Sequence, residues 1–267
     1  MAEGLSFPQD REAVFSKLLA RSTPEHSIAR LQSGRQLFED EAHRWCCYPA
    51  DAVQGVLLRA TPETLLLPNQ QAMALGVGLP RQINTVLDLG TGCGGILRFL
   101  AAVLPQASLR SIDSDREMLT LAQRYFALPT TAEVRTGDAF PFLRKDTQHY
   151  DLIVCDVFGG RAEPPWLSSQ EVFPALRARL APGGAVALNL LPTSEAQLRS
   201  QLLQASQCFA GIAVCQFGII GNIVALLQTQ ALPSTESWVS RCRAVLGTQA
   251  EHLLPWMTRF RRVPGDA

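Results

Sequence analysis

From Asn84 onward, short apolar runs alternate with amphipathic segments, the order that builds a parallel sheet with helices on both faces. The apolar runs predict strands at Thr85 to Leu89, Ser108 to Ile112, Glu133 to Thr136, Asp151 to Cys155 and Ala185 to Leu190. Helical spacing fills Gly95 to Leu104, Asp115 to Phe126 and Ser169 to Leu180, and Ala181-Pro182-Gly183-Gly184 reads as the stop of the last of these. Ser194 to Phe209 is again helical. GIAVCQF and NIVALLQ then follow as β-rich runs separated only by Gly218-Ile219-Ile220-Gly221. That connection is too short for a parallel crossover, so the last strand is predicted to run antiparallel. Trp238 to Arg262 reads as a terminal helix with a break at Gly247.

The first eighty or so residues have a different texture. Pro8 to Arg21 has the makings of a short helix, Ser33-Gly34 separates two alternating runs and predicts a hairpin, and Pro62 to Leu79 returns to helical spacing. The expected organisation is a small N-terminal domain with a connecting helix over 1–83, a ligand-binding α/β domain over 84–230 and a helical extension over 231–267.

Composition narrows the function. Lys plus Arg and Asp plus Glu are 24 each, so no basic excess favours nucleic acid. The N-terminal stretch has early acidic residues and no uninterrupted apolar run, so neither a signal peptide nor a membrane anchor is expected; a soluble cytoplasmic protein is. Seven cysteines, of which only Cys46 and Cys47 are adjacent, and four scattered histidines give no zinc spacing. Reduced thiols in or near the core are expected, and metal is not implied.

The strongest local signal is Val86-Leu87-Asp88-Leu89-Gly90-Thr91-Gly92-Cys93-Gly94-Gly95, a buried strand running into a glycine turn and then a helix. Gly90, Gly92 and Gly95 also fit a dinucleotide fingerprint. Asp113, at the end of the second strand, suits ribose hydroxyls of either a dinucleotide or an adenosyl sulfonium. Further along, Gly137-Asp138-Ala139 offers a carboxylate and a backbone amide to an adenine edge, and Asp156 stands at the carboxyl end of the fourth strand. With an antiparallel last strand, this order resembles the Rossmann-like class I methyltransferase fold and favours S-adenosyl-L-methionine as cofactor. Structural roles compete at several positions. Asp88 either braces the loop through backbone N–H bonds or touches the ligand, Asp115 caps the following helix, and Asp138 is also ordinary turn chemistry.

From about Ser27 to Leu227 the chain resembles the spermidine synthase-like proteins, the aminopropyltransferases and their methyltransferase relatives. The resemblance rests on Thr61 to Pro68 leading to Ala72-Met73, the glycine loop with Ile96-Leu97-Arg98, Ala122 to Pro129, Gly137-Asp138-Ala139, and Tyr150 to Asp156 followed by Pro165, Leu167 and Leu180 to Gly184. It implies a seven-stranded, mostly parallel sheet with an antiparallel last strand behind a small β-rich N-terminal domain, and dimers through that domain. The departures bear on the reaction. Aminopropyltransferases carry an Asp where this chain has Cys93; that carboxylate holds the ammonium of decarboxylated S-adenosylmethionine. Their D-x-x-D motif matches Asp156 first, but its second acid is Gly159 here, and the tyrosine that places a polyamine is absent near Leu67-Pro68-Asn69.

Methyl transfer to a small-molecule acceptor, an amine among the candidates, is therefore the first expectation. Aminopropyl transfer and a non-catalytic cofactor-binding module are the rivals. Asp156 is expected nearest the reaction, either as base toward the acceptor or as a ligand of the cofactor's amine. Asn189 is a second pocket-lining candidate, Trp166 either closes the pocket or anchors its loop, and Arg161 faces an acidic group or solvent. The cofactor residues are expected to be Asp88, Gly90, Gly92, Cys93, Asp113, Asp138 and Ala139.

Overall fold

The computed structural model describes residues 16–48, 53–158, 163–217 and 221–263. Most of the helix expected from Pro8, the tip of the last hairpin at 218–220, and Gly159 to Ala162 lie outside the described residues.

Four short strands, β1 (Ser27–Arg30), β2 (Gln36–Glu39), β3 (His43–Cys47) and β4 (Val53–Leu58), form an antiparallel sheet in sequence order. The Ser33-Gly34 turn joins β1 to β2, and Gly34 takes φ +91° there. One face of this sheet carries Leu37, Cys46 and Leu57, which pack with Cys93, Met118, Leu121 and Phe126 of the larger unit. The other face carries Phe38, Trp45 and Val56.

The larger sheet contains β5 (Thr85–Leu89), β6 (Ser108–Asp113), β7 (Glu133–Thr136), β8 (Tyr150–Cys155), β9 (Leu180–Leu190), β10 (Gly211–Gln216), β11 (Ile223–Gln228) and β12 (Arg261–Arg262). Their spatial order is β12-β10-β11-β9-β8-β5-β6-β7. The strands from β7 to β9 are parallel, and β11 enters antiparallel to both β9 and β10. This is the Rossmann-like arrangement expected from the alternating pattern. Side chains alternate between two cores, as the period of a strand requires. Val86, Leu152, Val154, Ala185 and Leu226 face one, whereas Leu87, Leu89, Ile153, Cys155 and Leu227 face the other. Covering both faces is what permits such continuously apolar strands.

Helices α1 (Pro68–Ala74), α2 (Gly95–Val103), α3 (Arg116–Tyr125), α4 (Ala139–Lys145), α5 (Val172–Ala178), α6 (Glu195–Ser206), α7 (Thr235–Leu246) and α8 (Ala250–Leu253) supply those covers. Several differ from the sequence expectation. The helix expected from Pro62 begins only at Pro68, because proline favours the first helical position and disfavours helix in the residue before it. Helix α4 escaped notice, since Ala-Phe-Pro-Phe-Leu-Arg-Lys is too short to establish a period. Ala181-Pro182-Gly183-Gly184 does not stop a helix but lies inside β9, whose partner β8 shifts register between Tyr150 and Leu152. Among the described residues, the sheet has eight strands rather than seven. Beyond the break at Gly247 the expected terminal helix gives way to the one-turn α8 flanked by short 3-10 turns, and Arg261–Arg262 adds to β10 as a two-residue edge strand.

Candidate functional site

A cavity of about 1150 Å³ opens at the carboxyl ends of β5, β6, β7, β8 and β9 and is roofed by the small sheet. It brings together Gly90, Gly92, Cys93, Asp113, Asp138, Ala139 and Asp156, and also Asn189 and Trp166, all singled out from sequence. Asp88 lies beneath it, 1% exposed.

The glycine turn is fixed by its neighbours. Gly90 N–H donates to the Ile112 carbonyl at 2.8 Å, and Asp156 N–H donates to the Leu89 carbonyl at 2.8 Å, so the turn is clamped between β6 and β8. Gly90, Gly92 and Gly94 have φ of +92°, +50° and +72°, a region where side chains are disfavoured. A Cβ built on Gly92 meets no atom within 4 Å, so the loop leaves room where it lines the cavity. Behind it, the buried Arg98 guanidinium donates to the carbonyls of Pro62, Cys93 and Phe126 at 2.9, 2.7 and 2.7 Å. Burial lowers its pKa to about 10.

Asp113, rather than Asp88, braces the loop. Its Oδ2 accepts from Gly92 N–H and its Oδ1 from Asp115 N–H, both at 2.8 Å. Burial raises its pKa, and these two backbone bonds act against the rise. A carboxylate has about four lone-pair directions, so two remain beyond those that the loop takes. Asp115 caps α3 through Met118 N–H at 2.9 Å and pairs with Arg35 at 2.6 Å. Asp138 caps α4, accepting from Phe140 N–H at 3.3 Å, while remaining exposed at the cavity rim.

Asp88 accepts from the Ser111 hydroxyl at 2.6 Å, and Ser111 is 2.6 Å from the Thr91 hydroxyl. Its Oδ1 has no hydrogen-bond partner among the described residues. Burial, above all, pushes its pKa to about 8. The folded state therefore favours the neutral acid. The associated stability is present at low pH and is lost as pH rises from about 4, where the unfolded carboxyl ionises, to about 8. Asp88→Asn, permanently neutral, is expected to flatten the fall of Tm across that window in calorimetric melts. An unchanged slope would assign the pH dependence elsewhere.

Cys93 is 5% exposed and turns away from solvent. Its thiol lies 3.7 Å from the Met118 sulfur, and a Cβ on Gly55 of β4 would come within 2.4 Å of it. The neighbouring Cys46 thiol, with burial, raises its pKa well above the ordinary value. Gly55 thus lets the small sheet sit directly on the glycine turn.

Asp156 reaches the cavity from the end of β8. Its Oδ1 accepts from Asn189 Nδ2 at 2.7 Å, and Asn189 Oδ1 in turn accepts from Asn222 Nδ2 at 3.0 Å. Burial raises the Asp156 pKa, while hydrogen bonds from Asn189 and Gln70 oppose the rise. Trp166 stacks on Phe140 at 5.1 Å between ring centroids and also lines the cavity, so it combines the anchoring and lining roles. Gln70 and Asn222 were not singled out from sequence. Gln70 adjoins the Thr61 to Pro68 stretch, but Asn222 carries no local signal, lying just before an ordinary strand.

A glycine turn at the first strand, a carboxylate at the second, a capped turn at the third and a carboxylate at the fourth thus meet at one cavity, in the order expected of a class I S-adenosylmethionine-binding domain. Residues 86–184 match the methyltransferase domain family. The chain is 32% identical over 114 residues to a probable polyamine aminopropyl transferase of Bifidobacterium longum, covering 43% of this chain and 26% of that protein. A probable spermidine synthase from Corynebacterium glutamicum superposes with a TM-score of 0.73 at 20% identity, over 90% of each chain. Human methyltransferase-like protein 13 in complex with SAH superposes with a TM-score of 0.61 at 19% identity, over 73% of this chain and 94% of that one. The chain is therefore spermidine synthase-like in fold, and its residues 86–184 are similar to a methyltransferase domain. Among the described residues, no helix is long and apolar enough to cross a membrane.

Proposed function

We propose that this chain transfers the methyl group of S-adenosyl-L-methionine to a nitrogen or oxygen of a small acceptor. The observation that carries the reading is Cys93: a buried thiol stands at the loop position where the aminopropyltransferases it resembles hold an acid. Intact S-adenosylmethionine brings its own carboxylate, so a neutral group at that place removes a like-charge clash. The first turn of α2 opens on the cavity at Gly95, and its free N–H groups favour an anion there.

When bound, the cofactor supplies an electrophilic methyl on a sulfonium. The protein's part is mostly proximity and orientation. Asp113 would hold the ribose, and Asp138 with the Ala139 amide would hold the adenine. Asp156, facing the remaining volume beside Gln70, accepts a hydrogen bond from the acceptor's N–H or O–H.

Calorimetry with both cofactor forms tests the choice. Intact S-adenosylmethionine is expected to bind at least about tenfold tighter than the decarboxylated form, a difference of about 1.4 kcal/mol. Labelled methyl should then appear on an acceptor from a panel of amines and small acids. Tighter binding of the decarboxylated form would overturn the proposal in favour of aminopropyl transfer.

A further inference from the structure

Asn189 and Asn222 occupy a particular place in the sheet. Asp156 follows β8, Asn189 is the tenth residue of β9, and Asn222 immediately precedes β11. These three strands are neighbours, with Cys155 opposite Leu188 and Leu190 opposite Ile223. One carboxylate and two amides therefore stand in a row along the same edge of the sheet. Asn189 is fully buried at 0% exposure. An amide in that position is expensive unless its polar atoms are met, and here both are.

The direction of the chain follows from elementary chemistry. An ionised carboxylate only accepts hydrogen bonds. Asn189 must therefore turn its NH₂ to Asp156, at 2.7 Å. That leaves its carbonyl oxygen facing Asn222, which must in turn present its own NH₂, at 3.0 Å. Each amide has one arrangement that satisfies its neighbours, and the whole row is polarised toward Asp156. Hydrogen bonds linked in this way strengthen one another in a low-dielectric setting.

We propose that Asn189 and Asn222 are positioning residues that lock the Asp156 carboxylate in one rotamer and keep it an acceptor toward the methyl acceptor's N–H or O–H. The role rests on the reading of Asp156 given under the proposed function. Asn189 acts directly, and Asn222 acts through Asn189. Among the described residues, the titratable groups that interact with Asp156 are Asp88 on β5 and Cys155 on its own strand, with Asp113 on β6 acting on Asp88 and Glu163, in the segment before α5, acting on Cys155. The Glu163 carboxylate is engaged by Leu191 N–H, Gln197 and Gln201, and Asp88 lies below the turn. Neither one donates to Asp156, so the amides are its partners on the β9 side.

The test is a ¹³C-carboxyl NMR titration of the full chain without ligand, with the Asp156 signal assigned by its absence in Asp156→Asn. Asn189→Leu is expected to raise the apparent pKa of Asp156 by about 1, and Asn222→Leu by about 0.5, as hydrogen bonds that favour the charged form are lost. The double variant should match Asn189→Leu alone, because Asn222 has no route to Asp156 except through Asn189. Two additive shifts, or an Asp156 titration in Asn222→Leu that overlays the parent, would overturn the relay. If Asn189→Leu does not fold, Asn222→Leu at its partly exposed position decides the matter by itself. Because the titration reads the free protein, a failure of methyl transfer in the cofactor experiment leaves this result standing, and the reverse also holds.

Discussion

Alanine at Gly90 is expected to cost about 2–4 kcal/mol of stability and to lower cofactor affinity at least about hundredfold. A Cβ there would lie 2.3 Å from the Asp156 carbonyl oxygen and 2.7 Å from its carbonyl carbon. Neither side can yield cheaply. Gly90 is tied to Ile112 through its N–H, and Asp156 is tied to Leu89 through its own. The φ of +92° adds strain for any residue with a side chain. Since 1 kcal/mol moves Tm by roughly 2–4 °C for a domain of this size, a thermal melt should show a drop of roughly 5–15 °C. Gly92→Ala provides the contrast. Its φ is +50° and a Cβ meets nothing within 4 Å, so it bears only the backbone strain of about 1–2 kcal/mol, and its Tm should fall less than that of Gly90→Ala while calorimetry reads weakened cofactor binding. Equal melting losses in both variants would contradict this division between a structural and a ligand-facing glycine.

Asp113→Asn is expected to lose cofactor affinity by about hundredfold, nearly as much as Asp113→Ala, although it is almost isosteric. The reason is that both carboxylate oxygens already accept backbone N–H bonds, from Gly92 and Asp115. An amide has one acceptor atom, so its NH₂ must oppose one of those N–H groups, leaving a donor unmet at about 1–3 kcal/mol. The turn then shifts where the ribose is to be held. Burial also raises the Asp113 pKa, so affinity should weaken as pH falls through that raised value and the carboxylate becomes a neutral acid. Calorimetric titration of both variants at neutral pH decides the point. Parent-like binding by Asp113→Asn would remove Asp113 from the cofactor's contacts.

The legible parts of this protein were those in which one short stretch carries both the backbone conformation and the chemistry. Val86 to Gly95 combines a buried strand, positive-φ glycines and a helix start. Asp115 caps α3 because a carboxylate three residues before Met118 N–H is a local geometry. Helix α4 was missed because seven residues with an internal proline give no readable period. The two-residue β12 was missed because its pairing with β10 depends on where the C-terminal turns deliver the chain.

Sequence by itself determined the alternation of strands and helices, the glycine turn, and the carboxylates at the ends of the first, second and fourth strands of the larger sheet. These follow from periodicity and from residue types whose conformational demands are local. Only the tertiary structure decided how the carboxylates divide their work. Asp88 sinks below the turn with its pKa near 8, Asp113 takes the loop amides, and Asp156 receives a polarised row of amides from two other strands. Cys93 likewise gains its meaning from Gly55 and Cys46, in a different sheet. Burial, charge state and hydrogen-bond direction depend on groups distant in the chain, and folding alone brings those groups within reach.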